Sequence, residues 1–246
     1  MRIAVAGGTG VVGRHVVRVL AAGGHKAVVL ARSAGIDLMD RAAVTAALEG
    51  CEAVVDVASV AALSAAKSTA FFRATTQNLL AAGEAQGVRH HVALSIVGAA
   101  KAPYGYYAGK KAQEDLVSAA RVGWTILRAT QFHEFAAQTA HRSTVMGVAL
   151  VPAMRSRTVA AADVADELVR LALGAPRGFS GELAGPEEHR MSELVRRYLK
   201  AAGERRRVLE VPLPGGFGKA LRDGTVLPGP GAKYGTRTFE EWLATL

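Results

Sequence analysis

The sequence predicts an α/β protein in which a doubly wound parallel sheet carries helices on both faces. Short segments rich in Val and Ile alternate with segments rich in Ala and Leu from residue 1 to about 128, which is the β-α-β order of such a fold. The strand-like segments are continuous apolar runs, as expected of strands buried on both sides. A glycine-rich turn joins the first strand to the first helix. The crossovers between parallel strands should be right-handed.

The first half of the chain supplies most of these elements. RIAVA is the first strand, and the apolar face of the helix after it consists of Val12, Val16, Val19 and Leu20. Gly23 and Gly24 end this helix. KAVVLAR is the second strand, GIDL is a short strand, and Asp40 should cap the following helix. EAVVDVAS, HHVALS and WTILRA are further buried strands, separated by helices near 64–86 and 104–121.

Beyond residue 130 the alternation becomes looser. Helices are predicted at 161–173 and 191–203, and short strands at 150–152, 181–185 and 208–214. Residues 227–235 have the composition of a loop. The sequence T-F-E-E at 238–241 is a capping box that opens a terminal helix, whose Phe239 and Trp242 should pack against the body of the protein.

Composition excludes several kinds of partner. Lys and Arg number 30 against 21 Asp and Glu, a net charge of +9 that would attract an anionic cofactor. The densest basic run, 196–207, contains Glu204 and only one aromatic residue, so we interpret it as a solvated helix end rather than a nucleic-acid site. Charges such as Asp56 interrupt the apolar stretches, so no membrane-spanning helix is expected.

The cysteine content and the N-terminus point to the cytoplasm. Cys51 is the single cysteine, so an internal disulfide is excluded and a reducing compartment fits. The chain begins directly with a strand-like segment and shows no cleavable signal pattern. His90 and His91 open a strand without a nearby set of metal-binding residues, so no metal site is expected.

The glycine turn GGTGVVG allows two interpretations, G-x-G-x-x-G from Gly8 or G-x-x-G-x-x-G from Gly7, each continuing through Gly10 and Gly13. Both patterns cradle phosphates, and this one lies between a strand and a helix as dinucleotide binding requires. Glycine lets the main chain approach a pyrophosphate, and the amide groups of residues 11–13 would face it.

The end of the second strand indicates which nucleotide is bound. An acidic residue there would favour NAD, but the chain has Leu-Ala followed by Arg32 and Ser33. Arg32 offers donors suited to a 2′-phosphate, Ser33 adds a hydroxyl, and Arg14 is a second candidate cation. NADP(H) is therefore the expected cofactor.

The chain resembles the atypical short-chain dehydrogenase/reductases in five segments: AGGTGVVG, LARS with GIDL, VVDVAS, LSIVGA and YYAGKKAQE. It is most similar to the NmrA-like, NAD(P)H-binding branch related to triphenylmethane and isoflavone reductases, over essentially the whole chain and most strongly over 1–135. The resemblance implies a Rossmann-type fold and selects the G-x-x-G-x-x-G pattern. By the resemblance, Asp37 and Leu38 flank the adenine, and Ala58 and Ser59 lie along the ribose. Together with Arg32 and Ser33 from the strand end, the other expected nucleotide-binding residues are those of the glycine turn: Gly7, Thr9, Gly10, Val11, Val12 and Gly13.

The same resemblance implies a catalytic group. Tyr106 and Lys110, four residues apart on one helix face, would donate a proton to the substrate carbonyl and hold the nicotinamide ribose. The lysine would also lower the pKa of the tyrosine, and Ser95 would orient the substrate oxygen. Tyr107 and Lys111 have the same spacing, and some members of the branch lack the tyrosine, so this assignment stays open.

Residues 128–135 leave a strand at the edge of the sheet where ligands of α/β proteins bind. By resemblance they lie beside the nicotinamide, which makes Gln131, Phe132 and His133 substrate-pocket candidates. His133 is either a proton donor or part of the pocket wall. Gly109 either marks a close approach of the cofactor or has no special role.

We therefore expect an NADPH-dependent oxidoreductase that reduces a small carbonyl, enone or quinone-like compound. Its single domain, 1–246, would comprise a cofactor half, 1–130, and a small substrate-side subdomain, 131–246. Two alternatives stay open: a regulator that binds NAD(P)H without turnover, and an epimerase, dehydratase or isomerase that retains the nucleotide. The expected partner is a small-molecule substrate, with neither nucleic acid nor a membrane, and the sequence leaves the oligomeric state open.

Overall fold

The computed structural model describes residues 1–62 and 64–246, and within them strands and helices alternate as expected. The strands are β1 (Arg2–Ala6), β2 (Lys26–Leu30), β3 (Ala53–Asp56), β4 (His90–Ile96), β5 (Gly123–Ala129), β6 (Thr144–Val145), β7 (Val148–Pro152), β8 (Arg155–Ser156), β9 (Gly178–Ala184), β10 (His189–Arg190), β11 (Arg207–Val211) and β12 (Lys233–Tyr234). The helices are α1 (Gly13–Ala22), α2 (Arg41–Ala47), α3 (Ala65–Ala85), α4 (Tyr106–Ser118), α5 (Glu134–Arg142), α6 (Ala161–Ala172), α7 (Met191–Ala201), α8 (Gly215–Arg222) and α9 (Phe239–Leu243), with a short 3-10 helix at Arg32–Ala34.

A parallel sheet forms the centre of the protein. Across the described residues it has seven strands in the order β12-β9-β5-β4-β3-β1-β2, and every pair of neighbours in it is parallel. From β1 the chain moves outward to β2 and then returns to β3 on the other side of β1. The strand order therefore reverses between β1 and β3, which is where ligands bind in open α/β sheets.

Alternation along the strands divides the core into two layers. Ile3 and Val5 of β1 point into one layer, where α1 and α6 pack with residues such as Leu168. Ala4 and Ala6 point into the other, which α2 and α3 cover. Helix α4 packs on that second face beside β4 and β5. Helices thus cover both faces, as the apolar strands predict.

The chain beyond β5 contributes to both the main sheet and a second, smaller sheet. Helix α6 and strands β9 and β12 complete the main sheet and its cover. A second sheet of order β11-β7-β6, counted over the described residues, packs with α5, α7, α8 and α9 around its own apolar cluster. Phe239 is fully buried in this cluster and Trp242 packs against it, as the capping box predicts. Thr238 and Glu241 form that capping box.

Several local predictions are confirmed and others are wrong. Asp40 caps α2 by accepting the N–H groups of Ala42 and Ala43 at 2.9 and 3.1 Å. GIDL is not a strand, because the Asp37 carboxylate accepts the N–H of Met39 and closes a turn there. The helices α5 and α8 were not expected, and the predicted loop 227–235 contains β12.

Gly109 is where α3 and α4 come closest. A Cβ atom on Gly109 would overlap Ser68 Oγ and would lie 2.6 Å from Phe72 Cδ2 and 2.8 Å from the Ser68 carbonyl carbon. The Ser68 hydroxyl also donates to the Tyr106 carbonyl oxygen at 3.1 Å. The missing side chain therefore serves contact between two helices, and it fixes the first turn of α4.

We predict that Gly109→Ala destabilises the protein although alanine is the better helix former, because overpacking of this contact costs on the order of 1–3 kcal/mol. Urea unfolding followed by circular dichroism measures the change. Gly174→Ala is the matched control, since its Cβ would meet neighbours at an ordinary 3.6 Å. Equal stability of the two variants would show that α3 and α4 can separate without loss.

Candidate functional site

The glycine turn after β1 is packed against the ends of both neighbouring strands. Gly7 adopts a φ of +80° and donates its N–H to Leu30 O at the end of β2 (2.8 Å). A Cβ on Gly7 would lie 2.9 Å from Val57 O and from Ala58 Cα, just after β3. A Cβ on Gly13 would overlap Gly7 O. Two of the three glycines are thus required by backbone contacts within the protein.

Gly10 and the start of α1 face open space. A Cβ on Gly10 would meet only Gly7 O, at 3.2 Å. Among the described residues, no acceptor takes the N–H groups of Val11, Val12 and Gly13. Helix α1 has no side-chain cap and no acidic residue in its first turn. Free N–H groups at the positive end of a helix are suited to an anion such as a pyrophosphate.

Two arginines lie near this turn, and they differ in their partners. Arg14 is 3.8 Å from Glu134, whose pKa is raised by burial. Arg32 is exposed at the start of the 3-10 helix and has no ion pair in the part of the chain that the structure describes. Ser33 beside it hydrogen-bonds to Thr9 of the glycine turn (Oγ to Oγ1, 3.2 Å). Arg32 is therefore the cation available to a phosphate beyond β2.

Leu38 and Ala58, expected beside the adenine and the ribose, belong to one cluster. Both are buried in the same apolar cluster as Leu30 at the end of β2. Asp37 next to Leu38 stays exposed. The structure therefore brings the ends of β1, β2 and β3 together at one edge of the sheet.

Tyr106 and Ser59 meet at the next position along this edge. The hydroxyl groups of Tyr106, at the start of α4, and Ser59, after β3, are 3.2 Å apart. Ser59 itself is exposed. Burial raises the pKa of Tyr106 to about 12, with the nearby Asp56 acting in the same direction. The expected lowering of this pKa by Lys110 is not found.

Lys110 points into the protein. Only 3% exposed, its Nζ donates to Leu94 O at 2.8 Å and to Gln113 Oε1 at 2.9 Å. It lies 4.3 Å from the centre of the Phe72 ring. Burial lowers the pKa of Lys110 to about 8, while the negative charges of Asp56 and Glu114 oppose that shift.

A buried hydrogen-bond network that the sequence did not predict continues from Lys110. Gln113 Nε2 donates to Asp56 Oδ2 at 2.8 Å, and His91 Nε2 lies 3.9 Å from that same oxygen. Burial lowers the pKa of His91. One feature of the sequence could have indicated this network, because Asp56 is a charged residue in the otherwise apolar strand AVVD. A buried carboxylate needs hydrogen-bond partners, and Gln113 and Ala58 N–H supply them.

The Ser95 hydroxyl is engaged by Glu114 rather than by Tyr106. Its hydroxyl donates to Glu114 Oε1 at 2.6 Å, and Glu114 accepts two hydrogen bonds from Arg128 at 2.8 and 2.7 Å. Ser95 and Glu114 are almost fully buried. Among the described residues, no hydrogen bond links Ser95, Tyr106 and Lys110 to one another, and the hydroxyl that contacts Tyr106 is that of Ser59.

Tyr107 and Lys111, the alternative pair, point in different directions. The Tyr107 hydroxyl accepts from Gln131 Nε2 at 2.7 Å, inside the second core cluster. Burial raises the pKa of Tyr107. Lys111 is on the surface and pairs with Asp115 at 2.6 Å. The structure thus offers no joint site for this pair.

The candidate substrate-pocket residues after β5 are held by hydrogen bonds and packing inside the protein. Gln131 is held between Tyr107 and Ser156, and the half-buried Phe132 packs against the main core. His133 is buried, with its Nδ1 2.9 Å from Thr158 Oγ1 and its Nε2 3.2 Å from Arg237 O.

The His133 ring also packs on the aromatic rings of α9, and burial lowers its pKa. With both ring nitrogens engaged, this geometry is that of a structural histidine.

Two further properties concern the described residues as a whole. No cluster of three or more His, Cys, Asp or Glu side chains within them has the arrangement of a metal site. None of the helices assigned there is both long and apolar enough to span a lipid bilayer.

Known proteins share this architecture. Residues 7–173 match a family model described as NAD(P)H-binding. Among solved structures, the NADPH-dependent quinone oxidoreductase of Escherichia coli complexed with NADPH is 22% identical, with 99% of each chain covered and a TM-score of 0.70. UDP-glucose 4-epimerase of Bifidobacterium longum in complex with NAD+ and UDP is 15% identical, with 99% of this chain and 96% of that chain covered and a TM-score of 0.74.

A nucleoside-diphosphate-sugar epimerase of Staphylococcus aureus is 17% identical, with 99% of each chain covered and a TM-score of 0.70. Among curated proteins, none matches the sequence significantly. The likeness to the solved structures confirms the predicted Rossmann-type fold.

The buried position of Lys110 predicts a pH-dependent stability. The unfolded chain keeps the Lys110 proton up to its ordinary pKa of 10.5, whereas the folded protein loses it near 8. The unfolded state therefore binds more protons between these values, and the free energy of unfolding rises with pH. From pH 7.5 to 9.5 the rise due to Lys110 should be roughly 2 kcal/mol, and Lys110→Met should lack it.

Urea unfolding at the two pH values measures this difference. Lys111→Met is the matched control, because the neighbouring lysine is exposed and should leave the wild-type slope unchanged. Identical slopes for Lys110→Met and wild type would mean that Lys110 titrates near its ordinary value.

Proposed function

We propose, because the chain belongs to the NAD(P)H-binding family, that it is an oxidoreductase which uses NADPH to reduce a small carbonyl, enone or quinone-like compound. The observation that carries this proposal is the Tyr106 hydroxyl, which lies beside the exposed Ser59 at the edge of the sheet where the strand order reverses. The fold shared with an NADPH-dependent quinone oxidoreductase supports the same class of chemistry.

The cofactor would lie along the ends of β1, β2 and β3. The free N–H groups of Val11, Val12 and Gly13 suit the pyrophosphate. Arg32, without an ion pair in the described chain, suits the 2′-phosphate of NADPH. Of these features, Arg32 supports NADPH over NADH, and the strand end also lacks the acidic residue that would accept hydrogen bonds from the free ribose hydroxyls of NADH.

Bound NADPH would supply a hydride to the substrate. Tyr106 would donate a proton to the substrate oxygen on which negative charge develops. Burial raises the pKa of Tyr106 to about 12, so the hydroxyl carries its proton at neutral pH, as a proton donor must. Ser59, the hydroxyl neighbour of Tyr106, would orient the same oxygen, which is the role expected of Ser95 from the sequence.

Lys110 would act from behind the tyrosine ring. Its Nζ is 5.9 Å from the ring centre and donates to Leu94 O and Gln113 Oε1, which would hold the start of α4, and Tyr106 with it, in place. We assign Lys110 this positioning role rather than a contact with the ribose, because its side chain is buried.

We also propose a division of the chain between the two ligands. Residues 1–130 would hold the nucleotide, and 131–246 would supply the substrate side. The separate apolar cluster of α5, α7, α8 and α9 supports this division. Helix α6 and strands β9 and β12 are exceptions, since they complete the main sheet.

We predict that the wild type binds NADPH more tightly than NADH and that Arg32→Ala narrows the gap. Loss of charge-assisted hydrogen bonds to the 2′-phosphate should weaken NADPH binding roughly 10- to 100-fold. NADH binding should change little, because NADH lacks that phosphate. Fluorescence titration measures both affinities.

Arg205→Ala removes the same charge from an exposed site on the C-terminal part of the chain and serves as the control. Equal wild-type affinities for the two nucleotides would overturn the assignment of NADPH.

We predict that Tyr106→Phe lowers turnover of a carbonyl or quinone substrate by roughly 10²–10⁴-fold, as expected when a positioned acid is removed. NADPH affinity should stay within about twofold, since the hydroxyl faces the substrate. Steady-state rates over a panel of carbonyl, enone and quinone compounds test this, alongside cofactor titration.

Tyr104→Phe, two residues away and 46% exposed, is the matched control. A loss of turnover in Tyr104→Phe but not in Tyr106→Phe would assign the proton to a different residue. If the wild type turns over no compound while binding NADPH, a regulator without catalysis is the better account.

A further inference from the structure

The side-chain amide of Asn78 joins α3 to the loop that follows β2. Its Nδ2 donates to the carbonyl oxygens of Leu38 at 2.9 Å and Met39 at 3.0 Å. Its Oδ1 accepts from Arg41 Nε at 3.2 Å. Both donor hydrogens and the acceptor of this amide are thus committed to one short stretch of chain.

Apart from the burial of Leu38 in the core, that stretch is shaped by local turns. Residues 36–40 form neither a strand nor a helix, and β2 before them is an edge strand of the main sheet. Asp37 closes a turn by accepting the N–H of Met39 on its carboxylate (2.9 Å) and that of Asp40 on its carbonyl oxygen (3.0 Å). The hydrogen bonds from Asn78 fix the main chain of this turn against α3.

The turn presents a donor and an acceptor side by side. The Leu38 N–H has no acceptor in the described ranges 1–62 and 64–246. The Asp37 side chain is exposed, and only its Oδ1 is used within those ranges. An adenine edge has the matching pattern, with a ring nitrogen that accepts and an exocyclic amino group that donates.

We propose that Asn78 is a positioning residue for the adenine end of the nucleotide. By holding the Leu38 and Met39 carbonyl groups, it orients the Leu38 N–H and the Asp37 carboxylate toward the purine edge. This inference rests on the proposed nucleotide-binding function and goes beyond it. Because Asn78 acts on the adenine end alone, its loss should weaken binding of the adenine half of the cofactor and leave binding of the nicotinamide half unchanged.

Fragments of the cofactor make this separation measurable. The adenine-bearing fragments are 2′,5′-ADP and 5′-AMP, and reduced nicotinamide mononucleotide is the other half. Asn78→Asp keeps the shape of the side chain but sets an oxygen against two carbonyl oxygens. We expect calorimetric titration to show adenine-fragment binding weakened about tenfold, the size of one or two lost hydrogen bonds, and mononucleotide binding within about twofold of wild type.

Matched controls come from Gln77, the residue that precedes Asn78. Gln77 is exposed on α3, so Gln77→Glu makes the same change of charge without touching the loop. Asn78→Ala paired with Gln77→Ala repeats the comparison without added charge, and it decides the matter if Asn78→Asp does not fold. In both pairs, only the Asn78 variant should lose affinity for the adenine fragments.

Two results would overturn the inference while leaving the proposed function intact. One is unchanged binding of the adenine fragments in both Asn78 variants. The other is an equal loss for the adenine fragments and the mononucleotide, which would give Asn78 a merely structural role. A wild type that binds none of the three fragments would overturn the proposed function itself, and this inference with it. A wild type that binds 5′-AMP but not 2′,5′-ADP would overturn the choice of NADPH, and Asn78 is then judged on 5′-AMP.

Discussion

The rest of the site depends on the close contact between the glycine turn and the end of β3. Gly7 N–H is bonded to Leu30 O at 2.8 Å, and a Cβ at Gly7 would lie 2.9 Å from Val57 O. The turn therefore cannot move away from either neighbouring strand without losing a hydrogen bond or a close packing contact. With the turn held there, the N–H groups at the start of α1 stay free. Ser59, which follows β3, lies at the same edge of the sheet.

A second constraint fixes α4, which carries Tyr106. Two buried polar groups attach this helix to the sheet: Gln113 reaches Asp56 of β3, and Glu114 reaches Ser95 and Arg128. A buried carboxylate without partners would be costly, so the side chains of Asp56 and Glu114 each accept more than one hydrogen bond. Glycine at 109 lets α3 approach from the other side. Ser95, which the sequence suggests for substrate contact, thus helps to hold the helix that presents the tyrosine.

Periodicity and local signals predicted what depends on neighbours in sequence. Buried strands, the glycine turn and the caps at Asp40 and Thr238 are all local, and so is the family pattern behind the NAD(P)H-binding match. The environments of Ser95 and His133 were not predictable in this way. Their partners Glu114 and Arg237 lie 19 and 104 residues away, and only the folded topology brings them into contact.

The two ends of the proposed nucleotide site are organised by different physical means. At the adenine end, main-chain groups are oriented by exposed turns and by one amide from α3. At the proposed reacting end, burial raises the pKa of Tyr106 to about 12, so its hydroxyl is protonated at neutral pH. The proposed reduction needs such a proton donor to the developing alkoxide, and in the reverse direction the same oxygen would take the proton back.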